Sequence, residues 1–225
     1  MPRMSAYILH IETATKVCSV GLSENGNLLS FIDRSESSFI HGEALTLMIQ
    51  ELLAAQKLTL QQLVAISYSS GPGSYTGLRI GLSTAKGLCF ALQIPLIALP
   101  TQQILAQISK KEALASGKNR VALLDARRNE VYIEVYAPNG AVLLPLSCLI
   151  LEENSLDAYQ PGIVTGDANQ KTATICHSAD LDFLETELSA QYQAELAIEK
   201  FEKKEFEDLA YCSPIYLKGA NGVLL

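Results

Sequence analysis

The sequence predicts an α/β fold made of two related lobes. Three observations point there. A strand–turn–strand–hairpin pattern that begins near residue 7 recurs near residue 121, with Glu12 lying 14 residues before Gly26 and Asp125 lying 15 before Gly140. An internal repeat of this length suggests duplicated units. Short β-type runs alternate with helix-periodic stretches, the order expected of a sheet covered by helices. The chain has 225 residues, 48% hydrophobic and 18% charged, enough to bury a core without a disulfide or metal staple and too apolar for a disordered chain.

The first repeat opens with Tyr7-Ile8-Leu9-His10-Ile11-Glu12, an apolar run ending in an acid. A polar turn at 13–16 leads to a strand at 17–22. Asn25-Gly26 then marks a tight hairpin, because both residues tolerate positive φ, and 28–32 returns. A helix follows at 41–57. Its Ala44, Leu45, Met48, Ile49, Leu52, Leu53 and Ala55 cover an arc of about 180°, wider than the ~100° stripe of a simple core-facing helix. Two readings fit that surplus: a helix wedged between a sheet and another helix, or a face that meets a partner protein. Next come a buried strand at 63–68, a helix at 75–92 stopped before Pro95, a strand at 94–99 and a helix at 101–115.

Ser116-Gly117-Lys118-Asn119 is the expected boundary. It divides a first lobe, 1–116, from a smaller second lobe, 117–225, whose last segment is expected to pack back on the first. The second repeat has strand 121–125 ending in Asp125, a turn carrying Arg127 and Arg128, strand 130–136, the Asn139-Gly140 hairpin and strand 141–146. Strand 162–165 follows, with Gly166 and Asp167 at its end, then one or two helices within 181–209.

Composition narrows the function. Seventeen basic against 24 acidic residues give a net charge of −7, which disfavours a stand-alone grip on nucleic acid and leaves a shared surface in a complex open. The longest basic stretches are the pairs Lys110-Lys111, Arg127-Arg128 and Lys203-Lys204. Five cysteines, odd in number and in no C-x-x-C pair, point to a reduced, cytoplasmic protein. No apolar run reaches ~18 residues, so no membrane span is expected. The N-terminus lacks the apolar core and cleavage site of a signal peptide.

Chemistry concentrates in a few places. Ser70-Gly71-Pro72-Gly73-Ser74 lies between a strand and a helix N-terminus, where free N–H groups favour an anion. It is not a Walker loop, because no Gly-Lys-Ser/Thr follows. The bland reading is a tight turn with Ser74 as N-cap. The helix behind it carries Gly77, Gly81 and Ala85 at intervals of four, with Gly87 further on. Each mid-helix glycine costs about 1 kcal/mol relative to alanine, and a close neighbouring backbone would offset that. Glu12 and Asp125 end strands, where an acid either holds a metal–phosphate or caps a turn. His10 alternates with core residues and reads as a hydrogen-bonded strand histidine. His41 is followed at i+4 by Leu45, so no paired-histidine metal site is present.

The run Ser70-Gly71-Pro72-Gly73-Ser74-Tyr75-Thr76-Gly77-Leu78-Arg79-Ile80-Gly81 resembles the signature of the bacterial TsaB family, also called YeaZ. The likeness extends to Ile11-Glu12-Thr13-Ala14-Thr15, Cys18-Ser19-Val20, His41, Asp125-Ala126-Arg127-Arg128, Glu130-Val131-Tyr132, Gly166-Asp167 and Pro214-Ile215-Tyr216-Leu217, and so covers essentially the whole chain. The resemblance implies two ribonuclease-H-like lobes of the actin, sugar kinase and Hsp70 ATPase fold. It also implies a role in the threonylcarbamoyl modification of adenosine 37 in tRNAs reading codons that begin with A.

In that family's division of labour, a TsaD-like paralogue transfers the group and a TsaE-like ATPase joins the complex. The chain itself is then a non-catalytic partner that heterodimerises with the TsaD-like protein through helices of its first lobe. The implied interface residues are His41, Leu45, Met48, Leu52, Gly77, Gly81 and Ala85. Gly81→Leu or Leu45→Glu is expected to break the heterodimer and leave the monomer folded. Candidate phosphate contacts are Glu12, Gly71, Gly73, Ser74, Asp125, Gly166 and Asp167, with Glu12 departing from the aspartate usual in relatives. No catalytic residue, metal or cofactor is expected for this chain alone. ATP or ADP with magnesium would belong to the complex, tRNA would be met through the complex, and a homodimer would form in isolation. The alternatives are a stand-alone nucleotide-binding ATPase or kinase of the same fold and, least favoured, a metallo-peptidase.

Overall fold

The computed structural model describes residues 5–35, 41–177 and 180–218, without the side chains of residues 41 and 43. The chain divides into two units, residues 1–101 with 189–215, and residues 102–188 with 216–225.

The first unit is built on a five-stranded sheet. Its strands are β1 (Tyr7–Glu12), β2 (Val17–Glu24), β3 (Asn27–Ser35), β4 (Leu63–Gly71) and β5 (Leu96–Pro100), in the order β3-β2-β1-β4-β5. β1, β2 and β3 form an antiparallel meander, and β1, β4 and β5 run parallel. Asn25 and Gly26 both take positive φ at the first hairpin (51° and 82°), as the Asn-Gly signal requires. Between β3 and β4 lies α1 (His41–Ala55), and between β4 and β5 lies α2 (Tyr75–Leu92). The α2 C-terminus is closed by Gln93 in the left-handed conformation, two residues before Pro95.

Register sorts the sheet into two chemically distinct faces. Leu9 stands opposite Leu22 and Ile66, and Ile11 opposite Val20 and Tyr68. These residues meet Leu45, Met48 and Leu52 of α1 and Leu82, Ala85 and Cys89 of α2 in one core. Alternate residues face the other way: His10 opposite Gly21 and Ser67, Ile8 opposite Ser23, Glu12 opposite Ser19. A late segment of the chain covers this small, polar face, a 3₁₀ turn at Ala190–Gln193 followed by α6 (Ala194–Lys203). Gly21 permits the approach, since a Cβ there would lie 3.2 Å from the Ala190 carbonyl oxygen.

The second unit repeats the plan. Its strands are β6 (Asn119–Asp125), β7 (Glu130–Tyr136), β8 (Val142–Ile150), β9 (Gly162–Thr165) and β10 (Leu181–Leu184), in the order β10-β9-β6-β7-β8. An antiparallel meander again continues into two parallel strands. Counted within its own unit, each strand occupies the same place as in the first sheet, so the duplicated pattern of the sequence is a duplicated topology. Val121, Leu123, Val131, Ile133 and Val135 centre this core.

Four details differ from the sequence expectations. The helix expected at 101–115 is broken at Ser109 into α3 (Thr101–Ile108) and α4 (Lys110–Ser116). From Gln102 onward these helices cluster with the second unit, where Thr165 donates to the Leu105 carbonyl (3.2 Å) and Arg120 to that of Ala106 (3.3 Å). Residues 181–184, expected within helices, form β10, which extends the sheet edge beside β9. Lys118 pairs with Asp180 (3.1 Å) and Asp182 (2.8 Å) beside that edge. A short helix, α5 (Asn169–Ile175), follows β9; two turns are too few to give a readable apolar period.

Candidate functional site

The loop after β4 is shaped by its own chain. The Ser74 N–H donates to the Ala14 carbonyl (2.7 Å), and the Ser74 hydroxyl accepts from the Gly77 N–H (3.2 Å) as the N-cap of α2. On the other side the Ile215 N–H donates to the Ser70 carbonyl (2.7 Å). Gly71, at φ +103°, would place a Cβ 2.6 Å from the Ile215 carbonyl oxygen, and Gly73 would place one 2.5 Å from that of Ala14. Close backbone packing therefore accounts for these glycines, and the donors that a phosphate would need at Ser74 and Gly77 are engaged. For Gly71, Gly73 and Ser74 the structure thus gives the bland reading, a tight turn packed on Ala14 and Ile215 with Ser74 as N-cap.

Glu12 is likewise enclosed. It is fully buried, with Oε1 accepting from the Ala14 N–H (2.8 Å) and Oε2 from Gln193 Nε2 (3.4 Å). Burial raises its carboxyl from 4.5 to about 7 against the pull of these hydrogen bonds. It joins a network under the α6 segment. Gln193 Nε2 donates to the Ile11 carbonyl (3.0 Å), and the Ser67 hydroxyl donates to Gln193 Oε1 (2.7 Å). Ser67 has one proton and gives it to Gln193, so its contact with His10 Nδ1 (2.7 Å) must be donated by the imidazole. His10 Nε2 then accepts from Ser23 (2.8 Å). Burial lowers the His10 pKa to about 3, and the expected hydrogen-bonded strand histidine is what the structure contains. Glu12 thus spends its carboxylate on a backbone N–H and Gln193 and is closed off from solvent.

In the second unit, Asp125, Gly166 and Asp167 form a strand-end anchor. Asp167 Oδ1 accepts from the Asp125 N–H (2.8 Å). Asp125 Oδ1 accepts from the Arg127 N–H (2.8 Å) and is paired with Lys171. Gly166, at φ +131°, leaves no room for a Cβ against the Leu123 carbonyl. Desolvation holds the Asp167 carboxyl above the ordinary range. Among the described residues no three His, Cys, Asp or Glu side chains converge on a position that could hold a metal ion, and no helix is long and apolar enough to cross a membrane.

The expected interface residues also fall inside the unit. Leu45, Met48, Leu52 and Ala85 are completely buried in the first core, and Gly77 and Gly81 sit against Thr13, where a Cβ would overlap its carbonyl and hydroxyl oxygens. Their assignment to a contact surface is corrected: the sheet and the 13–16 turn already occupy them. Gly81→Leu and Leu45→Glu would therefore disturb the fold itself. His41 begins α1, but its side chain lies outside the described residues.

What α1 and α2 do expose is a trough. One hollow of about 340 Å³ is lined by Ile49, Leu53, Ser83, Thr84, Gly87 and Leu88. A second, of about 480 Å³, shares Ser83 and Thr84 and continues to Ile80, Arg79 and Tyr75, with the Arg79 guanidinium 4.2 Å above the Tyr75 ring. Leu47 (60% exposed) and Phe90 (71%) add large apolar surface on the same two helices. Among the described residues, no atom outside the helix's own backbone comes within 4 Å of where a Gly87 Cβ would be, so none of them offsets this mid-helix glycine. The sequence carried the signal, a third glycine on α2 and an overly wide apolar arc on α1. It did not tell which residues of each helix faced inward.

Residues 35–220 match the family model described as "TsaD: tRNA N6-adenosine threonylcarbamoyltransferase". A Haemophilus influenzae protein named tRNA threonylcarbamoyladenosine biosynthesis protein TsaB is 36% identical over 125 residues, which are 56% of this chain and 51% of that one. The protein of the same name from Escherichia coli K12 is 35% identical over 130 residues, 57% and 54% of the two chains. The match thus spans about half the length of these curated relatives. The solved structure of YeaZ from Pseudomonas aeruginosa superposes with a TM-score of 0.81 at 26% identity, covering 94% of this chain and all of that one. A polyphosphate/ATP-glucomannokinase from Arthrobacter shares the fold alone, with a TM-score of 0.52 at 10% identity over 86% of this chain and 98% of its own. The fold is that of the actin-like ATPases and sugar kinases, and the chain belongs to the TsaD family of tRNA threonylcarbamoyladenosine proteins, as a member of its TsaB, or YeaZ, type.

Proposed function

We propose that this chain is a non-catalytic subunit in tRNA threonylcarbamoyladenosine biosynthesis and that it heterodimerises with a TsaD-like paralogue through the trough on α1 and α2. The carrying observation is Gly87, a mid-helix glycine in an exposed, largely apolar trough, with no contact among the described residues to explain it. A partner helix packed closely over Gly87 would supply the missing contact. Exposed Leu47 and Phe90 support the same reading, as do relatives named for this pathway. The Ser74 N–H, already engaged by the Ala14 carbonyl, supports leaving ATP or ADP and magnesium to the other components, among them a TsaE-like ATPase. In the absence of the paralogue the same trough is expected to pair with a second copy.

The test is reconstitution. Threonylcarbamoyladenosine formation on a tRNA is measured with the TsaD-like enzyme, the ATPase and the adenylate-forming enzyme, with and without this chain. Product that depends on the chain, and a Gly87→Leu variant that folds but neither binds the paralogue nor restores product, is the expected result. Product formation indifferent to the chain would overturn the proposal.

A further inference from the structure

The turn between β6 and β7 places two arginines where glycine or asparagine normally stands. Arg127 and Arg128 both adopt left-handed backbone, φ 69° and 50°. Residues with a Cβ enter that region at a cost, and successive ones rarely. Such a conformation persists where its surroundings over-determine it, and here they do. The turn is closed by Ala126 N–H to the Glu130 carbonyl (3.0 Å) and Glu130 N–H to the Arg127 carbonyl (3.0 Å). Two lysines then hold it from behind. Lys171 pairs with Asp125 and donates to the carbonyls of Arg128 (3.2 Å) and Glu130 (2.7 Å). Lys218 pairs with Glu130 and donates to the Ala126 carbonyl (3.1 Å).

This arrangement also decides the local charge. The acids able to neutralise the arginines are taken, Asp125 by Lys171 and Glu130 by Lys218, while Asp167 accepts from the Asp125 backbone. Both arginines are exposed, and among the described residues neither guanidinium is paired with a carboxylate. A chain of net charge −7 therefore presents, at one rigid tip, two adjacent unpaired guanidinium forks. Planar forks of this kind match phosphate oxygens better than ammonium groups do.

We infer that the Arg127–Arg128 tip is a direct contact for the phosphate backbone of RNA. The inference rests on the tRNA-modification reading for its choice of polyanion, but its test does not depend on the modification reaction.

The experiment measures fluorescence anisotropy of labelled, unmodified tRNA against the full chain, alone and with the TsaD-like paralogue, over a series of salt concentrations. Arg127→Gln/Arg128→Gln is expected to weaken binding about tenfold or more and to reduce the log–log salt slope by about 1.4–1.8, the value for two lost phosphate contacts. Arg127→Lys/Arg128→Lys is expected to retain most of the slope and lose part of the affinity. A third variant, Arg127→Asn/Arg128→Gly, installs an unstrained turn. It is expected to raise the melting temperature by a few degrees while losing binding as the glutamine variant does. Unchanged tRNA affinity and slope in the glutamine variant, or no tRNA binding by the wild-type chain in either setting, would overturn the inference. So would loss of paralogue binding or of ATP binding with tRNA affinity intact, which would assign the tip to a protein or a mononucleotide. Failure of the function proposal would show instead as product formation indifferent to this chain, with the anisotropy result standing separately.

Discussion

Gly77 of α2 lies against the carbonyl of Thr13, so close that a Cβ on the glycine would overlap that oxygen. Ten residues along the same helix, Gly87 faces open space. One helix thus contains glycines required by close packing and a glycine that meets no such neighbour among the described residues.

The two positions should answer oppositely to alanine. Gly77→Ala forces the 13–16 turn off α2 and is expected to cost ~3 kcal/mol or more, since overpacking against backbone relaxes poorly. Gly87→Ala meets nothing and should gain about 0.5–1 kcal/mol of helix stability. Urea denaturation of the two variants checks this, and equal effects would contradict the packing described.

The exposed trough predicts which changes separate folding from association. Phe90→Glu alters a side chain that is 71% exposed, so stability should shift by no more than ~0.5 kcal/mol. Binding to the TsaD-like paralogue should weaken at least tenfold, read by calorimetry. Leu45→Glu, by contrast, puts a charge in a fully buried position and should unfold the first unit, visible as lost circular dichroism.

Glu12 and His10 predict an unusual pH profile. Burial raises Glu12 from 4.5 to about 7, so the folded state binds its proton more tightly; that contribution is fully present below pH 4.5 and lost as pH rises through about 7. Burial lowers His10 from 6.5 to about 3, so its contribution is present above pH 6.5 and lost as pH falls toward 3. Between pH 4.5 and 6.5 the two slopes oppose each other. Glu12→Gln removes one of them, and the variant should become more stable by ~3 kcal/mol across that interval while the wild-type profile stays nearly flat. Denaturation at half-unit pH steps tests it.

Gln193 ties the late segment to the first sheet through Ser67, the Ile11 carbonyl and Glu12. Gln193→Ala leaves these buried groups without their partner and should cost about 1–3 kcal/mol. Hydrogen exchange should show the loosening in Ala190–Gln193 and α6 before the central strands.

Strands β1, β2, β6 and β7, both Asn-Gly hairpins and α2 to its last residue were legible in the sequence. Each is specified locally, by alternation, by turn residues that tolerate positive φ, or by a capping serine and a stopping proline. The repeat announced two units, because similar local patterns fold into similar meanders. β10 was not legible, because a four-residue strand carrying a charge is defined by the strand beside it. Nor was the membership of α3 and α4, which depends on whose sheet covers their apolar side chains.

The candidate site divides the same way. The sequence by itself determined the family signature, the apolar surplus on α1 and the glycine series on α2, since residue type and spacing are written in one dimension. Only the tertiary structure decided that Leu45, Met48, Leu52, Gly77, Gly81 and Ala85 face inward, that the 70–74 loop is closed by Ala14 and Ile215, and that Glu12 lies beneath Gln193. Those outcomes depend on contacts between residues as far apart as 12 and 193, and a glycine needed for a close neighbour is identical in sequence to one left free until the neighbour is in place.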